Sequence, residues 1–272
     1  MYRQIKLLGY EVGLFPLCVG IGMACGIILI FWQLKRMSAS PERENSVMIA
    51  IPFTFVVGVV SAYFVDMVLR GGFRAIKDQP LSYGLTFYGW LLGASGFLLI
   101  YAKKSHLSPA FMLNLFFPAF AIAQMWGRLG CFWGGCCYGC PAEWGMTYPP
   151  GSLPYEHYGA TPLIPVPIYE SVYLLAVFIL LFSLIRFKKR AAWYLILIPP
   201  GRFVLEFFRA DDRGRLLGDF FSPSQWISIF LFVAGMWWLR KLRNQDHRYF
   251  PKHLVCAAGG SCSNQEDVMP AP

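Results

Sequence analysis

Charge is what this sequence has least of. Asp, Glu, Lys and Arg make up 14% of 272 residues, against about 25% in a soluble domain. That deficit argues against a molecule surrounded by water. No continuous basic tract accounts for the net charge of +9. The cations sit in short clusters between apolar runs: Lys35-Arg36, Lys103-Lys104, Arg186 with Lys188-Lys189-Arg190, and Arg240-Lys241 with Arg243. This is the distribution of a membrane topology signal, and it argues against nucleic acid as a partner. The first apolar run lacks a following small-residue cleavage site, so it reads as an uncleaved helix and not as a signal peptide. The chain also lacks internal repeats and a composition break that would mark a second domain.

What is present is apolar. Hydrophobic residues reach 56% and mean hydropathy is +0.47. Runs of about 20 apolar residues recur, the length a bilayer crossing needs. Because hydrocarbon offers no partner for backbone groups, such runs must be helices. The sequence predicts an all-α membrane protein with about seven transmembrane helices, near 13–33, 47–69, 83–102, 109–127, 168–186, 191–208 and 222–240. With the N-terminus outside and the C-terminus cytoplasmic, inner segments carry 14 basic residues and outer segments 9, the sense the positive-inside rule favours. The expected division is a polytopic domain over 1–242 and a cytoplasmic, disordered tail over 243–272. In that tail His247, His253, Cys256 and Cys262 are too irregularly spaced for a zinc site.

Three polar constellations interrupt the apolar pattern. Arg128, at the expected edge of the fourth span, opens a Gly- and Cys-rich stretch that runs from Gly127 to Cys140. Glycines let backbone N–H groups approach an anion, and a guanidinium fork suits phosphate. A re-entrant turn with a snorkelling arginine fits the same residues. Arg202, Glu206 and Arg209 fall at i, i+4 and i+7, so they share one face of the sixth span. They read as the wall of a polar pocket or as an ion pair that fixes packing. Pro165-Val166-Pro167-Ile168-Tyr169-Glu170 opens the fifth span, where Glu170 is either a helix-start residue or a pocket residue.

At these residues the chain resembles the prolipoprotein diacylglyceryl transferase family. The family's G-R-x-G-N-F-x-N-G-E-x-[WY]-G is similar to Gly127 through Gly139 here, with Cys131, Gly134 and Cys136 in place of its asparagines and glutamate. Its R-F-x-x-E-F-F-R matches Arg202 through Arg209. Its H-P-x-Q-x-Y-E keeps Pro165, Tyr169 and Glu170. Its H-G-G-L-x-G resembles Tyr88 through Gly93, with tyrosine for histidine. An arginine usual late in the second span is Ser61, and a tyrosine expected before Arg202 is Ile198. The order and spacing agree over about residues 10–242.

The resemblance implies transfer of a diacylglyceryl group from phosphatidylglycerol to the lipobox cysteine thiol of a prolipoprotein, in a bacterial inner membrane. It implies phosphatidylglycerol, prolipoprotein signal peptides and membrane lipids as partners, no nucleic acid, and neither metal nor cofactor. Arg128 and Arg202 would hold the phosphate, Glu206 would position Arg202, and Tyr88 would donate a hydrogen bond in the histidine's place. Gly127, Gly130, Cys131, Cys136, Gly139, Tyr169, Glu170 and Arg209 would line the substrate.

The cysteines keep a rival open. Of eight, Cys131, Cys136, Cys137 and Cys140 fall within ten residues. Cys137 and Cys140 form a C-x-x-C, a spacing found in redox pairs and half metal sites, although nothing suggests a thioredoxin-like fold. Disulfides or small packed residues, metal or redox chemistry, and direct participation in transfer all remain possible. A scaffold turned to thiol or metal chemistry, or to lipid binding without catalysis, is the alternative function. Cys18 and Cys25 are expected to be small packed residues of the first span.

Overall fold

The computed structural model describes residues 4–7, 10–69, 86–210 and 221–249. A short antiparallel hairpin comes first, β1 (Gln4–Leu7) and β2 (Tyr10–Gly13), with Gln4 opposite Gly13. Helices α1 (Leu14–Arg36), α2 (Pro41–Leu69), α3 (Phe87–Lys104) and α4 (Pro109–Gly134) follow. After α4 come β3 (Pro141–Met146) and a short α5 (Leu153–Tyr158). Helix α6 (Val166–Ile179) continues as a π-helical turn over Leu180–Leu184, and α7 (Arg190–Glu206) and α8 (Pro223–Tyr249) complete the fold.

The protein is mostly helical, and among the described residues four helices are long and apolar enough to cross a membrane: Leu14–Arg36, Pro41–Val68, Pro109–Gly134 and Val166–Leu184. The other long helices dilute their apolar content, α7 with Arg202 and Glu206 and α8 with a basic last third. Helix α4 is the hub. Every residue from Met112 to Ala121 is buried, as expected of a helix apolar on all sides. Around it pack Leu34 of α1, Leu98 of α3, Leu174 of α6, Tyr194 of α7 and Leu231 of α8. Apolar side chains on the outer faces, such as Val60 and Phe64 of α2, Val172 and Ile179 of α6, and Phe230 and Trp237 of α8, are exposed, the arrangement lipid contact requires.

Several boundaries move. Pro118 lies inside α4, yet the helix runs unbroken and extends beyond residue 127 to Gly134. Neighbouring helices can accommodate a backbone carbonyl freed by an intramembrane proline. Helix α8 runs to Tyr249, so residues 243–249 are helical and not the disordered chain expected of them. Residues 250–272, with most of the tail cysteines and histidines, lie outside the described residues, as do residues 83–85 at the start of the expected third span.

Polar residues in the apolar helices hold the connections. The Asn114 side chain donates to the Ala110 and Lys188 carbonyls at 2.7 and 3.3 Å and accepts from the Ala191 N–H at 2.7 Å. It thereby ties α4 to the first turn of α7. Gln33 of α1 donates to the Leu115 carbonyl and accepts from Arg190 at 2.7 Å.

Close approach of α1 to α4 depends on small residues. A Cβ at Gly22 would lie 2.8 Å from the Trp126 Cβ and 2.9 Å from the Ala123 carbonyl oxygen, and one at Gly26 would touch Ala119 at 3.4 Å. Such stripes let helix backbones meet where no hydrophobic force separates protein from lipid. Gly22→Leu should therefore lower the thermal midpoint in detergent, by about 1–3 kcal/mol of overpacking. Gly20→Ala, whose Cβ meets nothing within 4 Å, should leave it unchanged.

Candidate functional site

The two arginines singled out from distant parts of the chain meet. Arg128 on α4 and Arg202 on α7 are 8% and 5% exposed, and both bind one carboxylate oxygen of Glu170 on α6. Arg128 Nε is 3.1 Å from Glu170 Oε1, and Arg202 Nη1 donates to the same atom. Glu170 is 2% exposed. It faces the interior of the bundle and is held there by the two arginines. Arg128 does not snorkel: it lies within α4, facing the bundle, and the turn comes later.

This corrects the role given to Glu206. Its carboxylate accepts from Ser222 Oγ at 3.2 Å, while Arg202 pairs with Glu170. The shared face at i, i+4 and i+7 also fails, because α7 ends at Glu206. Arg209 lies past the helix, bridged to Gly139. It remains close enough for its charge to act on Glu170.

Tyr88 enters the cluster through its ring. The Arg202 guanidinium lies 5.3 Å from the Phe87 ring centroid and 5.7 Å from that of Tyr88, within cation–π range. The Tyr88 hydroxyl is 2.5 Å from Ser228 Oγ, and Ser228 donates its single proton to the Ser224 carbonyl at 2.8 Å. Tyr88 is therefore the donor to Ser228. Ser61, where the family carries an arginine, donates to the Gly89 carbonyl at 2.9 Å.

Several polar atoms around the cluster are buried without a hydrogen-bond partner: Arg202 Nε, the Tyr194 hydroxyl, and both amide atoms of Gln124. Gln124 and Arg128 share a face of α4 at i, i+4. Buried polar groups are normally satisfied, and these are not. Nothing in the sequence reading pointed to Tyr194 or to Gln124 as a pocket residue. The i−4 spacing from Arg128 was the available signal for Gln124.

The glycine-rich stretch after Arg128 stops the helix and folds back. Gly135 takes φ +64°, its N–H reaches the Phe132 carbonyl, and the Cys136 N–H reaches the Cys131 carbonyl at 3.3 Å. These are the paired bonds of a Schellman stop. The reversal brings Cys136 over Cys131. The sulfurs of Cys131, Cys136 and Cys137 all lie within 4.8 Å of one another, and those of Cys136 and Cys137 are 3.8 Å apart. Cys140 is not in this group; its thiol faces the Arg209 carbonyl at 3.5 Å. The grouping is thus not the C-x-x-C that the spacing suggested. Hydrogen bonds from the Cys131 and Cys136 thiols, with the fields of Arg209 and Arg128, hold the Cys137 thiol well below its usual range against the effect of burial.

The remaining expected residues divide. A Cβ on Gly127 would meet nothing within 4 Å. Gly130 instead packs on α1, where a Cβ would lie 3.1 Å from Cys18 and 3.2 Å from Phe15. Gly139 lets three segments converge: its N–H binds the Ile164 carbonyl at 2.9 Å, and a Cβ would come within 2.6 Å of the Phe208 oxygen. Gly130 and Gly139 therefore serve packing in place of the substrate contact expected of them. Tyr169 is 43% exposed and meets Trp144 edge to face, at 6.3 Å. It points away from the buried cluster because it is next to Glu170 on a helix, about 100° around. An exposed aromatic pair of this kind suits a membrane–water interface.

A helical bundle with apolar outer faces and a buried arginine–carboxylate cluster defines a membrane protein. The chain belongs to the prolipoprotein diacylglyceryl transferase family, whose model matches residues 4–240. It is 29% identical over 241 residues to a phosphatidylglycerol–prolipoprotein diacylglyceryl transferase of Clostridium tetani, covering 85% of this chain and 93% of that protein. A second protein of that name from Clostridium perfringens is 26% identical, covering 85% and 91%. One from Dehalococcoides mccartyi is 28% identical, covering 71% and 77%.

The geometry separates the two glutamates. Glu170→Gln leaves two buried guanidinium groups without their shared counter-ion and should cost about 3–5 kcal/mol. Glu206→Gln should cost far less. Thermal unfolding of the two variants in one detergent checks the difference.

Proposed function

We propose that this protein transfers the diacylglyceryl group of phosphatidylglycerol to the lipobox cysteine thiol of prolipoproteins. The observation that carries the reading is the Arg128–Glu170–Arg202 cluster. Two cations and one anion leave one net positive charge in a buried site, beside unsatisfied donors. A phosphodiester supplies the missing negative charge and accepts those hydrogen bonds. As the acceptor sulfur attacks the glyceryl carbon, the C–S bond forms and the C–O bond to phosphate breaks. Charge grows on the leaving glycerol phosphate, where Arg128 and Arg202 are already oriented to meet it. Glu170 positions both guanidinium groups. An apolar cavity of about 510 Å³ lined by Leu91, Leu99, Leu113, Phe117 and Leu231 offers room for an acyl chain.

In this reading all seven long helices cross a bacterial inner membrane, N-terminus outside and C-terminus cytoplasmic. The starts of α1, α3, α6 and α8 and the ends of α2, α4 and α7 then share one side. Tyr88, Arg128, Glu170, Arg202 and Ser228 come from such ends, so the site opens toward the outer leaflet. The signal peptide of a prolipoprotein would reach it laterally, through the bilayer. The family match and the names of the relatives favour transfer over the thiol-redox and non-catalytic readings.

The test is transfer in phosphatidylglycerol vesicles, followed by the mass gained on a lipobox peptide. Arg128→Ala and Arg202→Ala should each slow it by about 100- to 1,000-fold, the usual effect of removing one donor from a developing oxyanion. Lysine at either position should restore little, because a point charge does not replace the fork. Full activity in both alanine variants would defeat the phosphate clamp.

A further inference from the structure

The reaction proposed above needs the acceptor thiol to lose its proton, and three described groups that could take it already have partners. Glu170 is held by two arginines. The Tyr88 proton goes to Ser228. His157, in the exposed outer layer, is paired through Nδ1 with the Tyr138 hydroxyl at 2.8 Å. What stands next to Arg128 is sulfur. Cys131 is at i+3 from Arg128 on α4, so the two share a helix face.

We infer that Cys131, Cys136 and Cys137 form a three-thiolate site for a soft divalent cation, zinc above all, whose fourth position takes the acceptor thiol. Thiolate–zinc bonds of about 2.3 Å in a tetrahedron put the sulfurs about 3.8 Å apart. The Cys136 and Cys137 sulfurs already have that separation, and the third lies within 4.8 Å of both. Three protein ligands with an open fourth position is the pattern of a reactive site, whereas structural sites are closed by four. The Schellman turn at Gly135 fixes the backbone that brings residues 131 and 136 together. Zinc with three thiolates carries one net negative charge, and Arg128 and Arg209 lie near enough to balance it. The Tyr148 hydroxyl, on a residue 2% exposed and close to Cys136 and Cys137, has no hydrogen-bond partner.

This inference rests on the proposed transfer and supplies its deprotonation step. The acceptor thiol binds the cation and releases its proton to water, because a coordinated thiol is deprotonated outright. The bound thiolate then attacks the glyceryl carbon, the C–O bond breaks, and glycerol phosphate leaves toward Arg128 and Arg202. No electrons are gained or lost. A metal-bound nucleophile next to the phosphate clamp takes the place of a general base.

The full chain, purified in detergent under anaerobic conditions, should hold about one zinc per molecule. Cobalt exchanged into the site should give sulfur-to-metal charge-transfer bands and intense tetrahedral visible bands. Cys131→Ser and Cys137→Ser should abolish both signals, while Cys18→Ser keeps them. A lipobox peptide should shift the cobalt bands, and its Cys→Ser analogue should not. Zinc removal should slow transfer by about 100-fold or more, the scale of a lost general base, with recovery on adding zinc. Active protein without bound metal, or with a disulfide joining two of these cysteines, would overturn the inference and leave the transfer standing. Bound cobalt indifferent to the peptide thiol would overturn the acceptor role. A thiol-dependent shift without any transfer to the peptide would uphold the site and defeat the proposed function.

Discussion

Two guanidinium groups share one carboxylate oxygen inside this bundle, and the rest of the architecture follows from keeping that contact dry and in place. Arg128, Glu170 and Arg202 sit on three helices, so α4, α6 and α7 must all hold their axial positions for the cluster to exist. Charges buried this deeply tolerate little separation. The Asn114 bonds from α4 to the start of α7 set that register at the far end of the helices. The glycines that draw α1 against α4 close the remaining side. The cluster carries one positive charge more than it neutralises, which makes an interior anion favourable where hydrocarbon alone would exclude it.

The connection between α4 and α6 has a second task. It reverses at Gly135, runs through β3, and returns past Leu163 to Glu170. Gly139 lets it pass the segment after α7, bringing Arg209 toward Glu170. Three sulfurs result about one helical turn from Arg128. Arg128 and the sulfur group therefore occupy neighbouring positions built from one stretch of chain, although the partner charge on Glu170 comes from elsewhere.

Much of the scaffold could be read directly. Apolar runs of bilayer length located the long helices, and the polar interruptions located Arg128, Glu170 and Arg202. The errors have physical causes. Glu206 was assigned to Arg202 because i, i+4 neighbours on one helix are the pairing that spacing can reveal. The actual partner is 32 residues away on another helix. Arg209 was placed on the same face because the end of α7 carries no stop signal as plain as a glycine. The C-x-x-C drew attention to Cys140, whereas a Schellman reversal, readable from Gly134-Gly135 at the end of an apolar helix, groups Cys131 with Cys136 and Cys137.

By itself the sequence determined that the chain is helical and apolar, where its helices run, and which few charged residues interrupt them. Those properties depend on composition and on periodicity, which act over neighbouring residues. Only the tertiary structure decided which carboxylate serves which arginine, that Tyr88 gives its proton to Ser228, and that Tyr194 and Gln124 lie unsatisfied beside the cluster. Such pairings depend on how helices far apart in the chain pack, and no local pattern records a distance between them.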